Sequence, residues 1–206
     1  MTPPLPAGAS GATSLPGAQT AERLLDAAAR AFADSGFHAT TTRDIASRAG
    51  LSPAGVYVHF ASKEELLHEL SRSGHGRALE VVRAAASRPG TPSEQLARVM
   101  SSFSVWHADR HQVARVVQYE FPHLSPEHRE EVLALRKQID AIVQDVLRDG
   151  MACAEFAVDD VADTALALMS LCIDVARWYS PAISRTPAQI GATNATLGLR
   201  LVGATV

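Results

Sequence analysis

His107 and His111 stand four residues apart, a spacing that on a helix puts both imidazoles on one face, where with a third ligand they could hold a metal ion. That third ligand is missing nearby: no glutamate completes a His-Glu-x-x-His pattern and neither cysteine is close in sequence. The pair therefore reads as hydrogen-bonded or pocket-lining, and His107, beside Trp106, is the better candidate for the wall of a binding site. Cys153 and Cys172 are far apart without metal-type spacing, and read as reduced thiols used as small apolar side chains. No glycine-rich phosphate loop and no nucleophile elbow is present, so no reaction centre is marked, and neither an enzyme nor a cofactor is expected.

Binding chemistry is the remaining option, and the charge balance restricts it. The 206 residues carry 19 Lys and Arg against 22 Asp and Glu. Even the stretch 19–75 has six basic residues against seven acidic ones. A broad basic face is therefore absent, and contact with DNA would have to come from a few well-placed groups and helix N-termini. With 47% hydrophobic and 20% charged residues, the composition is that of an ordinary globular protein, and no run of 18 apolar residues suggests a membrane span. The opening MTPPLPAGASGATSLPGAQ has neither the basic start nor the apolar core of a signal peptide, so a cytoplasmic location is expected. Its Pro, Gly, Ala, Ser and Thr cannot bury enough surface to offset ordering, which predicts a disordered tail over residues 1–18.

The elements that position these residues are helices. Apolar residues recur at three and four almost throughout, and alternating β-branched runs are missing, so the expected fold is all-α with about nine helices. Ala21, Leu24, Leu25, Ala28 and Phe32 stripe a first helix that ends near Ser35-Gly36. Thr42 is expected to cap a short helix that buries Ile45, Ala46 and Ala49 and stops at Gly50. Ser52-Pro53 opens a second short helix through Phe60, and Ser62 with Glu65 forms a capping box for a longer one from about Lys63 to Arg88. Further starts are read at Thr91-Pro92 and Ser125-Pro126, an interruption at Pro122, an apolar helix over 158–179, and a last helix from Thr186-Pro187 to about Gly203.

Two short helices joined by a glycine turn hold the second on one side of a module, where it can enter a major groove. The apolar set Ile45, Ala46, Ala49, Leu51, Val56 and Phe60 fits such a pair, and the opposite face carries Pro53, Ala54, Tyr57 and Val58. The segments FADSGF, TTTRDIASRAGLS, GVYVHF and SKEEL, in this order between Phe32 and Leu70, closely resemble the N-terminal DNA-binding domain of the TetR family. The resemblance implies that Thr42 meets a phosphate and Arg43 a phosphate or base edge, and that Ser52, Pro53, Ala54 and Gly55 lie at the tip of the recognition helix. It also implies phosphate contacts for Tyr57, His59 and Lys63. Thr42 as a cap, Tyr57 and His59 as packing residues and Lys63 as a solvated lysine are the plainer readings of the same side chains.

In the second half HADRHQVARVVQYE, LSPEHREEVLALRKQID and ALMSLCIDVARWYSP resemble, more loosely, the C-terminal domains of TetR regulators of fatty-acid and sterol degradation genes. That likeness implies a hydrophobic effector such as an acyl-CoA, with Arg110, Arg115, Arg136 and Arg177 as candidates for its phosphates. Met100, Phe103, Trp106, His107, Tyr119, Phe121, Met169 and Trp178 are the candidate pocket residues, although core packing explains any one of them alone. The family resemblance also implies a homodimer built by the last two helices, with Ala165, Leu168 and Cys172 on one and Gly191, Ala195, Gly198 and Val202 on the other. The expected organisation is a tail over 1–18, a DNA-binding domain over 19–65 and a ligand-binding and dimerisation domain over 66–206. The expected function is a ligand-released repressor bound to near-palindromic double-stranded operator DNA. A drug-responsive efflux-gene repressor and a DNA-binding scaffold without a small ligand are the alternatives.

Overall fold

The computed structural model describes residues 16–204. The first 15 residues of the expected tail lie outside them, and its last three already belong to a helix. Among the described residues there are ten α-helices, one 3₁₀ turn and no strand. They are α1 (Pro16–Ala39), α2 (Thr42–Ala49), α3 (Pro53–Tyr57), α4 (Lys63–Ala86), α5 (Pro92–Asp109), α6 (His111–Tyr119), the 3₁₀ turn Phe121–His123, α7 (Pro126–Ala152), α8 (Val161–Ile173), α9 (Val175–Trp178) and α10 (Pro187–Leu201). The helix expected over 158–179 is thus two, α8 and the short α9. α3 ends three residues before the expected Phe60.

Local chemistry sets these limits. Thr41, not Thr42, caps α2: its hydroxyl accepts from Asp44 N at 3.1 Å, and the Asp44 carboxylate accepts from Thr41 N at 2.9 Å. That exchange satisfies two orphan amides and leaves the Thr42 hydroxyl free to point elsewhere. Gly50 ends α2 in the left-handed region at φ 67°, which only glycine adopts without strain, and the turn into α3 follows at once. Ser52 caps α3 ahead of Pro53, and Ser62 caps α4 by accepting from Glu65 N at 3.0 Å. The Glu65 carboxylate reaches one residue beyond the expected box and takes Ala61 N.

Two large apolar cores result among the described residues, beside a small third cluster of Ala108, Val175 and Ile190. In the first, Leu24, Ala28 and Phe32 of α1 meet Ile45, Ala46, Val56, Phe60, Leu66, Leu67 and Leu70. Val116, Leu124 and Val132, from well beyond residue 65, complete it, so packing continues across the expected boundary. The second is formed by α4, α5, α7, α8 and α10 around Val82, Val99, Phe103, Val143, Leu147 and Leu168. α4 belongs to both cores and joins them.

The expected dimer contacts on α8 and α10 require correction. Ala165, Leu168, Cys172 and Val202 are 0% exposed within the single chain, and Gly191 and Gly198 are buried as well. The small-residue ridge of α10 serves α5 instead: a Cβ added at Gly191 would lie 2.8 Å from Ser101 O, so only glycine permits that approach. Asn194 pins the same joint, donating to Ser104 Oγ at 2.9 Å and to Leu171 O at 3.2 Å. Ala195, partly buried, also packs against this core. Both helices are apolar on two sides, and the side left open carries Leu171, Leu197 and Leu201, each at least 36% exposed.

Candidate DNA-binding and effector sites

The tip of α3 presents Ser52, Pro53, Ala54, Tyr57 and Val58 outward, with Val58 78% and Tyr57 56% exposed. Ser52 Oγ accepts from Gly55 N at 3.2 Å and fixes the first turn. The Tyr57 hydroxyl lies 3.2 Å from Thr42 Oγ1, so the start of α2 and the end of α3 share one exposed hydroxyl pair, with Arg43 exposed beside it. His59 is half-buried at the edge of this surface. Side chains of this kind can donate to phosphate oxygens and place methyl and ring surface against base edges.

Lys63 does not join them. Its Nζ donates to Phe37 O at 2.5 Å and to Thr40 O at 2.7 Å, and sits 4.3 Å from the Phe37 ring centroid. The carbonyls at the end of α1 lack helical partners, and the ammonium supplies them. Lys63 therefore ties α1 to α4, a structural role beside the phosphate contact that the resemblance implies for it. Thr40 Oγ1 adds to that terminus by donating to Gly36 O at 2.8 Å.

The second core encloses a cavity of about 440 Å³ between α4, α5, α6, α7 and α8. Four of the eight candidate pocket residues line it: Phe103, Trp106, His107 and Met169. The other four do not, for reasons of helical phase and depth. α6 turns Val113, Ala114, Val117 and Gln118 inward, which rotates Tyr119 to the surface at 58% exposure. Trp178 is 44% exposed, beyond the end of α8. Met100 is fully buried deeper in the core, where the Cys172 thiol meets its sulfur at 3.7 Å. Phe121 packs against the first core.

The sequence reading missed His75, Gln118, Lys137 and Asp140, which give the mostly apolar wall its polar groups together with His107 and Arg136. His107 Nδ1 donates to Phe103 O at 2.8 Å, and this fixes Nε2 as an acceptor. His75 Nδ1 likewise donates to Ser71 O at 2.7 Å, and its Nε2 accepts from Arg136 Nε at 3.0 Å. Burial pushes both imidazoles down to about 4, so both are neutral at pH 7. Burial also lowers the Arg136 pKa. Of the other arginines, Arg177 is paired with Asp174 at 2.6 Å, Arg110 is exposed, and Arg115 lies outside the cavity wall. His111 Nδ1 donates to Ala108 O at 2.9 Å rather than joining His107. Among the described residues no group of three His, Cys, Asp or Glu side chains is placed to hold a metal, and no helix is long and apolar enough to cross a membrane.

Residues 24–70 match the family of bacterial regulatory proteins, tetR family, and residues 89–202 match the tetracyclin repressor-like C-terminal domain. The chain belongs to the TetR family. It is 35% identical over 173 residues to the transcriptional repressor KstR2 of Mycobacterium tuberculosis, covering 82% of this chain and 85% of that one. A TetR-family regulatory protein from Rhodococcus RHA1 superposes with a TM-score of 0.86 at 36% identity, covering 91% of this chain and 99% of that chain. FadR of Bacillus subtilis, solved in complex with stearoyl-CoA, shares the TetR fold at a TM-score of 0.72 and 24% identity, covering 90% of this chain and 99% of its own. These relatives are transcriptional regulators, and they agree with the resemblance of the second half to TetR regulators of fatty-acid and sterol degradation.

Proposed function

We propose that this TetR repressor binds a near-palindromic operator as a homodimer and is released by an acyl-CoA. The observation that carries the reading is the cavity on α4, because the same helix carries Leu66, Leu67 and Leu70 into the DNA-binding core. A guest that displaces α4 changes the position of α2 and α3. The stearoyl-CoA complex of FadR supports the choice of a lipid-like thioester. Arg136 and Lys137 on the wall, against the single carboxylate of Asp140, favour an anionic effector over a cationic drug. Dimerisation through the open leucines of α8 and α10 would set two recognition helices roughly 34 to 36 Å apart, one turn of DNA. Thr42, Arg43, Ser52, Pro53, Ala54, Gly55, Tyr57 and His59 form the DNA surface in this reading.

The test uses an operator duplex selected from random sequence by the protein itself, labelled for fluorescence anisotropy and titrated with acyl-CoAs of increasing chain length. Release is expected, and a hundredfold preference of effector for the released form would supply about 2.7 kcal/mol of coupling. Trp106→Ala should blunt release while leaving operator affinity within about twofold, since Trp106 lies on the cavity wall, away from α3. Release by a planar cationic dye and by no acyl-CoA would replace this reading with the efflux alternative.

A further inference from the structure

Arg136 lies on α7 where the cavity meets the first core. One edge and one face of its guanidinium are engaged: Nε donates to His75 Nε2 at 3.0 Å, and the group stands 4.2 Å from the Phe121 ring centroid. A guanidinium has five N–H donors, and the four on the Nη atoms have no partner among the described residues. No Asp or Glu oxygen lies within 4.0 Å of it to form an ion pair. Asp140, one turn further along α7 and also on the wall, instead accepts from Gln144 at 2.7 Å. A half-buried cation without an ion-pair partner, on a mostly apolar wall, is unfavourable until an anion neutralises it.

Its two engaged partners lead to the DNA-binding core. His75 is five residues beyond Leu70 on α4, and Phe121 packs against the core that holds Val116 and Leu124. Burial keeps His75 neutral, so its bond to Arg136 joins a cation to an uncharged ring. A carboxylate or phosphate bonded through two Nη atoms is stronger than that single contact, so an arriving anion decides where the guanidinium sits.

We propose that Arg136 is the anion-reading residue of the cavity: its Nη edge takes an oxyanion of the effector, and its contacts with His75 and Phe121 carry that event to the DNA-binding core. The assignment rests on the cavity being the effector site. The oxyanion can come from the carboxylate of an amphipathic acid or from the phosphates of a coenzyme carrier, and both present the same chemistry to a guanidinium.

Three probes separate these sources: decanoate, decanoyl-CoA, and S-decanoylpantetheine, a thioester without phosphate. Binding to the full chain is read from Trp106 fluorescence in a Trp178→Phe background, and release from anisotropy of the operator complex. Arg136→Gln is expected to weaken the anionic probe that binds by roughly tenfold, with Arg136→Lys recovering part of the loss and pantetheine binding unchanged. Dependence on Arg136 with decanoate assigns a carboxylate, and dependence with decanoyl-CoA alone assigns a phosphate. Phe121→Leu should bind that probe as wild type does yet release operator several-fold less readily. If Arg136→Gln does not fold, the wild-type preference for an anionic probe over S-decanoylpantetheine and the response of Arg136→Lys decide the matter. Binding of the anionic probes within twofold of wild type in Arg136→Gln overturns the assignment and leaves the thioester reading standing. Silence of wild type toward all three probes overturns both.

Discussion

Around Ile45 and Val56 the small helices bury their apolar side chains against one another, Thr41 and Asp44 exchange cap bonds, and Lys63 answers the free carbonyls of α1. Around Phe103 and His107 the same kind of helices stop short of closure and keep about 440 Å³ open. The polar groups at that opening, His107 Nε2 and the Nη donors of Arg136, have no hydrogen-bond partner among the described residues. A region that must hold one shape against DNA satisfies its own groups, whereas a region that must respond to a guest keeps part of its bonding capacity for it.

The comparison breaks most sharply if the two faces of α8 and α10 are misassigned. Leu168→Glu should unfold the protomer, since an unpaired charge in a fully buried site costs several kcal/mol, about 4 or more. Leu197→Glu, on the open face, should leave the protomer folded and convert dimer to monomer in sedimentation. A folded Leu168→Glu monomer would reverse the two faces.

Next in size are truncations of the two cores. Leu66→Ala, in the closed core, should cost about 4 kcal/mol in denaturant unfolding, while Met169→Ala, whose side chain already borders empty space, should cost about 2 kcal/mol. Equal losses would mean that the cavity is collapsed in solution.

The buried histidines His75 and His107 give the effector half a pH dependence. His107 has its pKa depressed from 6.5 to about 4 by burial, so between these values the unfolded chain holds more protons than the folded one. Stability is therefore complete above pH 6.5 and falls as pH drops toward 4, by about 3 kcal/mol for this residue. The charged or titratable groups around it are His75 of α4 and Arg136, Lys137 and Asp140 of α7. His107→Gln should flatten the melting-temperature profile over this range. An unchanged slope would move the effect to His75, the other imidazole that burial pushes down to about 4.

The smallest expected effects lie at the DNA surface. Lys63→Met should lower stability by about 1 to 2 kcal/mol, because it orphans two carbonyls, and leave the salt dependence of operator binding unchanged. Tyr57→Phe should do the opposite: the melting temperature stays within a degree or two while operator affinity falls, because its hydroxyl is exposed and meets only Thr42. A salt slope reduced by about one in Lys63→Met would return that lysine to the phosphate backbone.

The amino-acid sequence by itself determined the elements that local chemistry controls. Gly50, Ser52-Pro53, Ser62, Thr91-Pro92, Ser125-Pro126 and Thr186-Pro187 punctuate helices through caps and fixed dihedrals, which act over three or four residues and are therefore readable in order. The segments from Phe32 to Leu70 gave the DNA-binding half for the same reason. Tertiary structure alone decided what each face meets. Thr42 and Thr41 are equivalent as caps until Asp44 closes on one of them, and α8 and α10 each offer two apolar faces, of which folding hides one. The cavity wall depends on His75 meeting Arg136 across 61 residues, a pairing with no local signature. Periodicity tells that a side chain is buried somewhere, but the partner it is buried against is a property of the assembled helices.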